Sequence, residues 1–133
     1  MIEQTLSIIK PDAVERNLEG KIKNCFEKNN LKISKIKKVK ISKEEASEFY
    51  KIHQTKPFYE KLCNYLSSGS IVVMILEGEN AILKNRQLIG STDPIKAEEG
   101  TLRKMYGLSI DKNSVHGSDS IENAKIEINF FFK

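Results

Sequence analysis

The longest unbroken apolar stretch in the chain is Ile71-Val-Val-Met-Ile-Leu76, and it constrains the fold more than any other segment. It is far shorter than the roughly 20 apolar residues that cross a bilayer. Its β-branched content and lack of alternation instead predict a central strand covered on both faces, with Gly78 as its end. The chain of 133 residues fits a single domain, 1–133, since domains typically run to about 100–150 residues. Hydrophobic residues make up 39% and charged residues 30%, enough apolar material for a real core and unlike a disordered or membrane-spanning composition.

The other elements are read around that strand. Gln4 to Ile9 alternates as a strand should and stops at Lys10-Pro11, where proline breaks the ladder. Asp12 with Glu15 has the form of a capping box, and Ile22, Cys25, Phe26 and Asn29 fall on one helical face. Leu31 to Ile41 alternates apolar residues with lysine and slips phase between Ile33 and Ile36, which suits an edge strand with a bulge, guarded by lysines. A basic stripe for nucleic acid is the rival reading of that segment.

Ser42 with Glu45 predicts a capped helix bearing Ala46, Phe49, Tyr50 and His53 on one side. Pro57 is read as the first residue of another helix, carrying Phe58, Leu62, Cys63 and Leu66 and closed by Ser67-Ser68-Gly69. Ala81 to Ile89 reads as a helix, and Gly90 to Asn113 as a long loop of the kind that is usually functional. A short strand near Ser114 to His116 leads into a helix from Ser120 to Phe131, with Asp119 and Glu122 as its capping box. The order β-α-β-α-β-α-β-α is that of an α+β, ferredoxin-like βαββαβ sandwich with extra helices and an inserted loop before the strand that carries the active site.

Net charge is +4, but the lysines fall largely at periodic solvent-facing positions, so solubility accounts for them and nucleic acid is not expected as the main partner. Only three of the 22 basic residues are arginine: Arg16, Arg86 and Arg103. In a chain that uses lysine almost everywhere, an arginine suggests a task needing a planar, two-pronged donor for carboxylate or phosphate. Cys25 and Cys63 are the only cysteines and form no CxxC, so neither a disulfide framework nor a zinc site is expected. Met1-Ile2-Glu3-Gln4 lacks the charged-then-apolar pattern of a signal segment, and the expected location is the cytoplasm, with no membrane partner.

The segment richest in chemistry is Asn113-Ser-Val-His-Gly-Ser-Asp119. A histidine leaves a strand there and the chain runs directly into a capped helix, whose N-terminus suits an anion such as phosphate. One nitrogen of a neutral imidazole can attack phosphorus while the other holds its N–H, and a carboxylate on that N–H would fix the tautomer. Glu127 is the candidate carboxylate. It lies among Ala124, Ile128 and Phe131 on the inward side of the last helix, where an unpaired charge would be costly. On pattern alone, His116 could equally be a turn histidine satisfied by backbone. Phe58, Leu62 and Tyr50 could be core, and Arg86 and Lys10 ordinary surface residues.

The Asn-x-x-His-Gly-Ser-Asp segment resembles the active-site signature of the nucleoside diphosphate kinase family. The resemblance extends over nearly the whole chain: Ser7-Ile-Ile-Lys10-Pro-Asp-Ala-Val14, Tyr50 followed by Lys56-Pro57-Phe58, Leu76-Glu77-Gly78, Arg86, Gly90-Ser-Thr92-Asp-Pro94 and Gly100-Thr-Leu-Arg103 occur in the family's order. It implies a two-step exchange in which His116 takes the γ-phosphoryl of a nucleoside triphosphate and passes it to a nucleoside diphosphate, with magnesium bridging the nucleotide's phosphates. By the same resemblance Lys10, Arg86 and Arg103 would surround the phosphates and Thr92 would donate a hydroxyl to them. Tyr50 would sit beside His116, and Glu127 would accept the second N–H of its ring. Asn113, with Lys10, would bond the ribose hydroxyl and a phosphate oxygen. Phe58 would stack on the base, with Leu62 and Ile110 as apolar neighbours.

The family is usually a hexamer or a tetramer of dimers, so a homo-oligomer is expected. Ile52 departs from the pattern, since many members carry an acid there that meets the serine after the His-Gly pair. Support for Ser118 is then absent or comes from elsewhere. A second reading, from another class, is a non-catalytic ferredoxin-like module that binds nucleotide or nucleic acid.

Overall fold

The computed structural model describes residues 2–51, 55, 57–110 and 112–132. Its four-stranded sheet has the order β2-β3-β1-β4, every neighbour antiparallel, as the ferredoxin-like arrangement requires. The strands are β1 (Ile2–Ile9), β2 (Lys32–Val39), β3 (Ile71–Glu79) and β4 (Val115–Gly117). Helices α1 (Pro11–Glu15), α2 (Glu19–Lys28), α3 (Lys43–Phe49), α4 (Tyr59–Leu66), α5 (Ala81–Ile89), α6 (Leu102–Tyr106) and α7 (Ile121–Phe131) cover it.

β3 is the central strand expected from its composition, and Ile71 through Leu76 are all buried. Because successive side chains point to opposite faces, Val72, Met74 and Leu76 join Phe26, Ile22 and Ile89 in one core layer. Ile71 and Val73 join Leu66, Cys63 and Phe131 in the other. Gly78 does not end the strand: it pairs with Glu3, and the ladder runs on to Glu79 opposite Ile2. Its glycine identity has a different cause, since a Cβ there would lie 2.8 Å from the Asn30 carbonyl oxygen.

β2 is an edge strand, and its register against β3 shifts between Ile33 and Lys35, where the sequence slips phase. The Ser42–Glu45 capping box is formed in both directions. Helix α5 spans the expected Ala81–Ile89.

Five local expectations need correction. Asp12 caps nothing: the first helix stops at Glu15, its N-cap is Lys10, and the Asp12 carboxylate is buried and accepts from Arg16, Tyr65 and Ser114. The periodic residues Ile22 and Phe26 belong to a separate helix, α2, whose C-cap is Asn29. Pro57 lies before α4, which starts at Tyr59 with Phe58 as N-cap. The last helix is capped by Ser120, whose hydroxyl accepts the Asn123 N–H, while Asp119 accepts from the Asn123 side chain. The segment Gly90–Asn113 is also not all loop, because Thr101 caps the short helix α6. Ile52, His53, Lys56 and Asp111 lie outside the described residues.

Candidate active site

His116 is the middle residue of β4, directly opposite Ile8 of β1. Alternation along the strand buries Val115 in the α5-side core and turns the half-buried imidazole to the other face. There its Nε2 lies 3.0 Å from Glu127 Oε1, on α7. The same oxygen accepts the Ser118 hydroxyl at 2.8 Å, and Ser118 Oγ in turn accepts the Leu6 N–H at 3.3 Å. Among the described residues, Ser118 is thus held by Glu127 and the β1 backbone. The edge of Phe49 completes the setting, its ring centroid 5.5 Å from that of His116 at 73°.

Lys10 extends from the end of β1, placed by the proline that closes the strand. It is buried, and its Nζ donates to Asn113 Oδ1 at 2.9 Å. Asn113 Nδ2 donates to the Thr92 carbonyl at 3.1 Å, so a chain of polar contacts runs from β1 through the residue before Ser114 to the segment after α5.

Arg103, on α6, is 7% exposed. Its Nη1 donates to Gly90 O at 3.0 Å and its Nη2 to Val115 O at 2.9 Å, while the buried Nε has no partner among the described residues. Burial first, and the charge of Arg86 second, lower its pKa from the ordinary guanidinium value to about 10. Two cations share one site here with no carboxylate bonded to either among the described residues. That is a poor arrangement for stability and a good one for a polyanion.

Tyr50 is buried and its pKa is pushed up, chiefly by desolvation and then by the negative charge of Glu127, so the phenol stays neutral and able to donate. Asp119 is held below the usual carboxylate range, mainly by the hydrogen bond from Asn123, with the charges of Arg86 and His116 adding.

These groups line one cavity of about 390 Å³. Every site residue expected from the sequence faces it: Lys10, Tyr50, Phe58, Leu62, Arg86, Thr92, Arg103, Ile110, Asn113, His116 and Glu127. Phe58 and Ile110, 42% and 55% exposed, give it an apolar rim, while Lys10 and Arg103 are buried and Arg86 is exposed. The sequence did not single out Gly117, Asp119 and Asn123, which also line the cavity, nor Phe49. The first three sit within or just beyond the His-Gly-Ser-Asp run, so proximity to the motif was the available signal. Phe49 offered none beyond its place on the α3 apolar face.

Comparison with known proteins gives a consistent result. The family description "Nucleoside diphosphate kinase" matches residues 3–133. The nucleoside diphosphate kinase of Persephonella marina is 54% identical over 131 residues, covering 98% of this chain and 94% of the relative. That of Campylobacter jejuni is 57% identical over 132 residues, with 99% and 96% covered. Among solved structures, the Aquifex aeolicus nucleoside diphosphate kinase superposes with a TM-score of 0.98 at 40% identity, covering 100% of this chain and 96% of the other. The Encephalitozoon cuniculi enzyme gives 0.95 at 37%, with 98% and 88% covered.

Proposed function

The chain belongs to the nucleoside diphosphate kinase family and is a phosphotransferase, and from that premise we propose that His116 Nδ1 is the atom that carries the phosphoryl group. The observation behind this assignment is the His116–Glu127 contact. A carboxylate can only accept, so Nε2 holds the ring proton and donates it to Glu127, which leaves the lone pair on Nδ1.

In the first half-reaction Nδ1 attacks the γ-phosphorus of a nucleoside triphosphate. The Nδ1–P bond forms, the bridging P–O bond breaks, and the nucleoside diphosphate leaves with that oxygen. The imidazole gains cationic character, which the Glu127 charge offsets. In the second half-reaction a terminal phosphate oxygen of another diphosphate attacks the same phosphorus and Nδ1 leaves. Catalysis of this kind is mainly positioning and charge stabilisation, and Lys10, Arg86 and Arg103 supply the positive field. Tyr50 and Thr92 are donors to phosphate oxygens. Asn113 and Lys10 bond the ribose hydroxyl and phosphate, and Phe58 stacks on the base with Leu62 and Ile110 beside it. A π-face accepts any base, so broad specificity follows.

Members of the family work with a divalent cation. For this chain magnesium fits as an ion carried on the nucleotide. Glu127 is committed to His116 and Ser118, and no group of three or more His, Cys, Asp or Glu among the described residues is arranged to hold a metal. Bound there, magnesium would neutralise part of the phosphate charge. The protein acts as a homo-oligomer, a hexamer or a tetramer, which light scattering distinguishes. No helix among the described residues is long and apolar enough to cross a membrane. A module that merely bound nucleotide would have no use for a carboxylate-oriented histidine facing two arginines.

Incubation with γ-labelled ATP tests the assignment. An acid-labile label on the chain, absent from His116→Ala, is the expected result. Label that persists in His116→Ala would sink His116 as nucleophile.

A further inference from the structure

Of the three arginines, Arg86 and Arg103 line the cavity and Arg16 does not. Arg16 is the C-cap residue of α1, and its side chain is about a third exposed, at 36%. Its guanidinium nevertheless makes four hydrogen bonds, through Nε and Nη2. Nε donates to the Asp12 carbonyl at 3.1 Å, and Nη2 donates to the Asp12 carboxylate at 3.0 Å, to Ser114 Oγ at 3.2 Å and to the Tyr106 carbonyl.

Asp12 is itself fixed from the other side. The Tyr65 hydroxyl, on α4, donates to Oδ1 and accepts the Asp12 backbone N–H at 2.9 Å, and Ser114 Oγ donates to Oδ2 at 2.7 Å. One buried carboxylate and one guanidinium therefore draw together Tyr106 and Ser114, the residues that open and close the segment 107–113. Ser114 stands at φ +74°, a left-handed conformation that a non-glycine residue keeps only where its surroundings dictate it. Ile110 and Asn113 of the cavity ride on the segment so closed. The groups nearer the phosphates are fixed otherwise: Arg103 by Gly90 and Val115, and His116 by Glu127.

We propose that Arg16 is a positioning residue for the nucleoside end of the site: by gripping Asp12, Tyr106 and Ser114 at once, it closes the base of the 107–113 segment and sets the placement of Ile110 and Asn113. This inference rests on the nucleotide reading of the cavity. A lysine at 16 offers one nitrogen and cannot hold the Asp12 carbonyl, as Nε does, while a second nitrogen meets the Asp12 carboxylate, Tyr106 and Ser114, as Nη2 does, so it does not substitute.

The test uses the full chain as wild type, Arg16→Met, Arg16→Lys and Ser114→Ala. KM and kcat are measured for the nucleoside diphosphate acceptor, and His116 is phosphorylated separately with phosphoramidate, a donor without a nucleoside, which loses its amine as ammonia when the Nδ1–P bond forms. Loss of charge-assisted hydrogen bonds should raise KM about tenfold in both Arg16 variants, and less in Ser114→Ala, while labelling by phosphoramidate stays near the wild-type rate. An unchanged KM in all three variants overturns the clamp, and so does a phosphoramidate rate that falls in parallel with nucleotide turnover. If Arg16→Met fails to fold, Arg16→Lys and Ser114→Ala carry the same comparison. A wild-type chain that phosphoramidate labels but that takes no phosphoryl group from ATP overturns the nucleotide reading and this inference with it. Normal wild-type turnover with unaltered variants overturns the clamp alone.

Discussion

His116 Nε2 and Glu127 Oε1 lie 3.0 Å apart, and the Glu127 oxygen is shared with the Ser118 hydroxyl. A glutamine at 127 would keep an acceptor for both donors but lose the charge that offsets imidazolium character. Hydrogen bonds to charged groups exceed neutral ones by roughly 1–2 kcal/mol, so Glu127→Gln should slow His116 phosphorylation about five- to thirtyfold. KM for nucleotide should hardly move. Rapid-quench measurement of phosphoenzyme formation reads the first quantity, and a rate equal to wild type would remove Glu127 from the chemistry.

Arg86 and Arg103 make the opposite case, in which function opposes stability. Arg103 is charged at neutral pH although folding has lowered its pKa to about 10. A cation whose folded pKa lies below its unfolded value is an unfavourable contribution below pH 10 that fades as pH rises toward the unfolded value. Arg86 is one cause of that depression; among the described residues it has no hydrogen bond or close ion pair, and the Asp119 carboxylate offsets its charge only through space. Arg86→Met should therefore leave the Tm of the ligand-free protein unchanged or raised, while the further rise on saturation with ADP shrinks. Calorimetry at pH 7 with and without ADP separates the two effects. A lower Tm without ligand would contradict the charge argument.

Much of this was legible in the sequence, and the pattern of what was not has a physical reason. β3, α5, the Ser42–Glu45 box and the slip between Ile33 and Lys35 depend on neighbours in sequence, so local periodicity reveals them. Asp12 and Asp119 deceived because an aspartate before a helix can cap it or serve a tertiary contact. Asp12 serves Arg16, Tyr65 and Ser114, partners far along the chain in the last two cases. Helix α6 escaped because it is short and carries no amphipathic repeat. In the site, the residue types followed from the resemblance, but their ties did not. Lys10 to Asn113 and Asn113 to the Thr92 carbonyl join segments that only the antiparallel pairing of β1 with β4 brings together.

Asp119 gives a pH dependence. Its folded pKa is lowered, first by the Asn123 hydrogen bond, so it contributes stability above its unfolded value near 3.8 and loses it as pH falls through the folded value. Asp119→Ala should therefore be less stable than wild type at pH 6, and the gap should narrow as pH falls below about 3.8 and close once the folded carboxylate is protonated. Urea titrations across that range measure the gap. A difference that stays constant with pH would assign it to the α7 turn and not to the carboxylate.

Gly117 is where packing beneath the active strand becomes testable. A Cβ at 117 would stand 2.3 Å from Asn85 Nδ2 and 3.2 Å from Ile89 Cδ1, both on α5. Asn85 is fully buried, and neither of its side-chain polar atoms has a partner among the described residues, so no hydrogen bond need be broken for it to move, but there is little room for it to do so. Gly117→Ala must push either Asn85 or β4 itself, and β4 carries His116 one residue away. Overpacking of this kind costs about 1–3 kcal/mol. If β4 yields, phosphorylation of His116 falls by more than the loss of folded protein explains, and trimming Asn85 to alanine in the Gly117→Ala background restores both rate and Tm. If Asn85 yields, Tm falls alone and the rate per folded molecule stays at the wild-type value. Because β4 is a three-residue strand at the sheet edge, paired on one side only, while Asn85 projects from a helix that packs on β1 and β4 alike, the strand is the more easily displaced. The expected result is therefore the coupled loss, with a double-mutant cycle between 85 and 117 that is clearly non-additive.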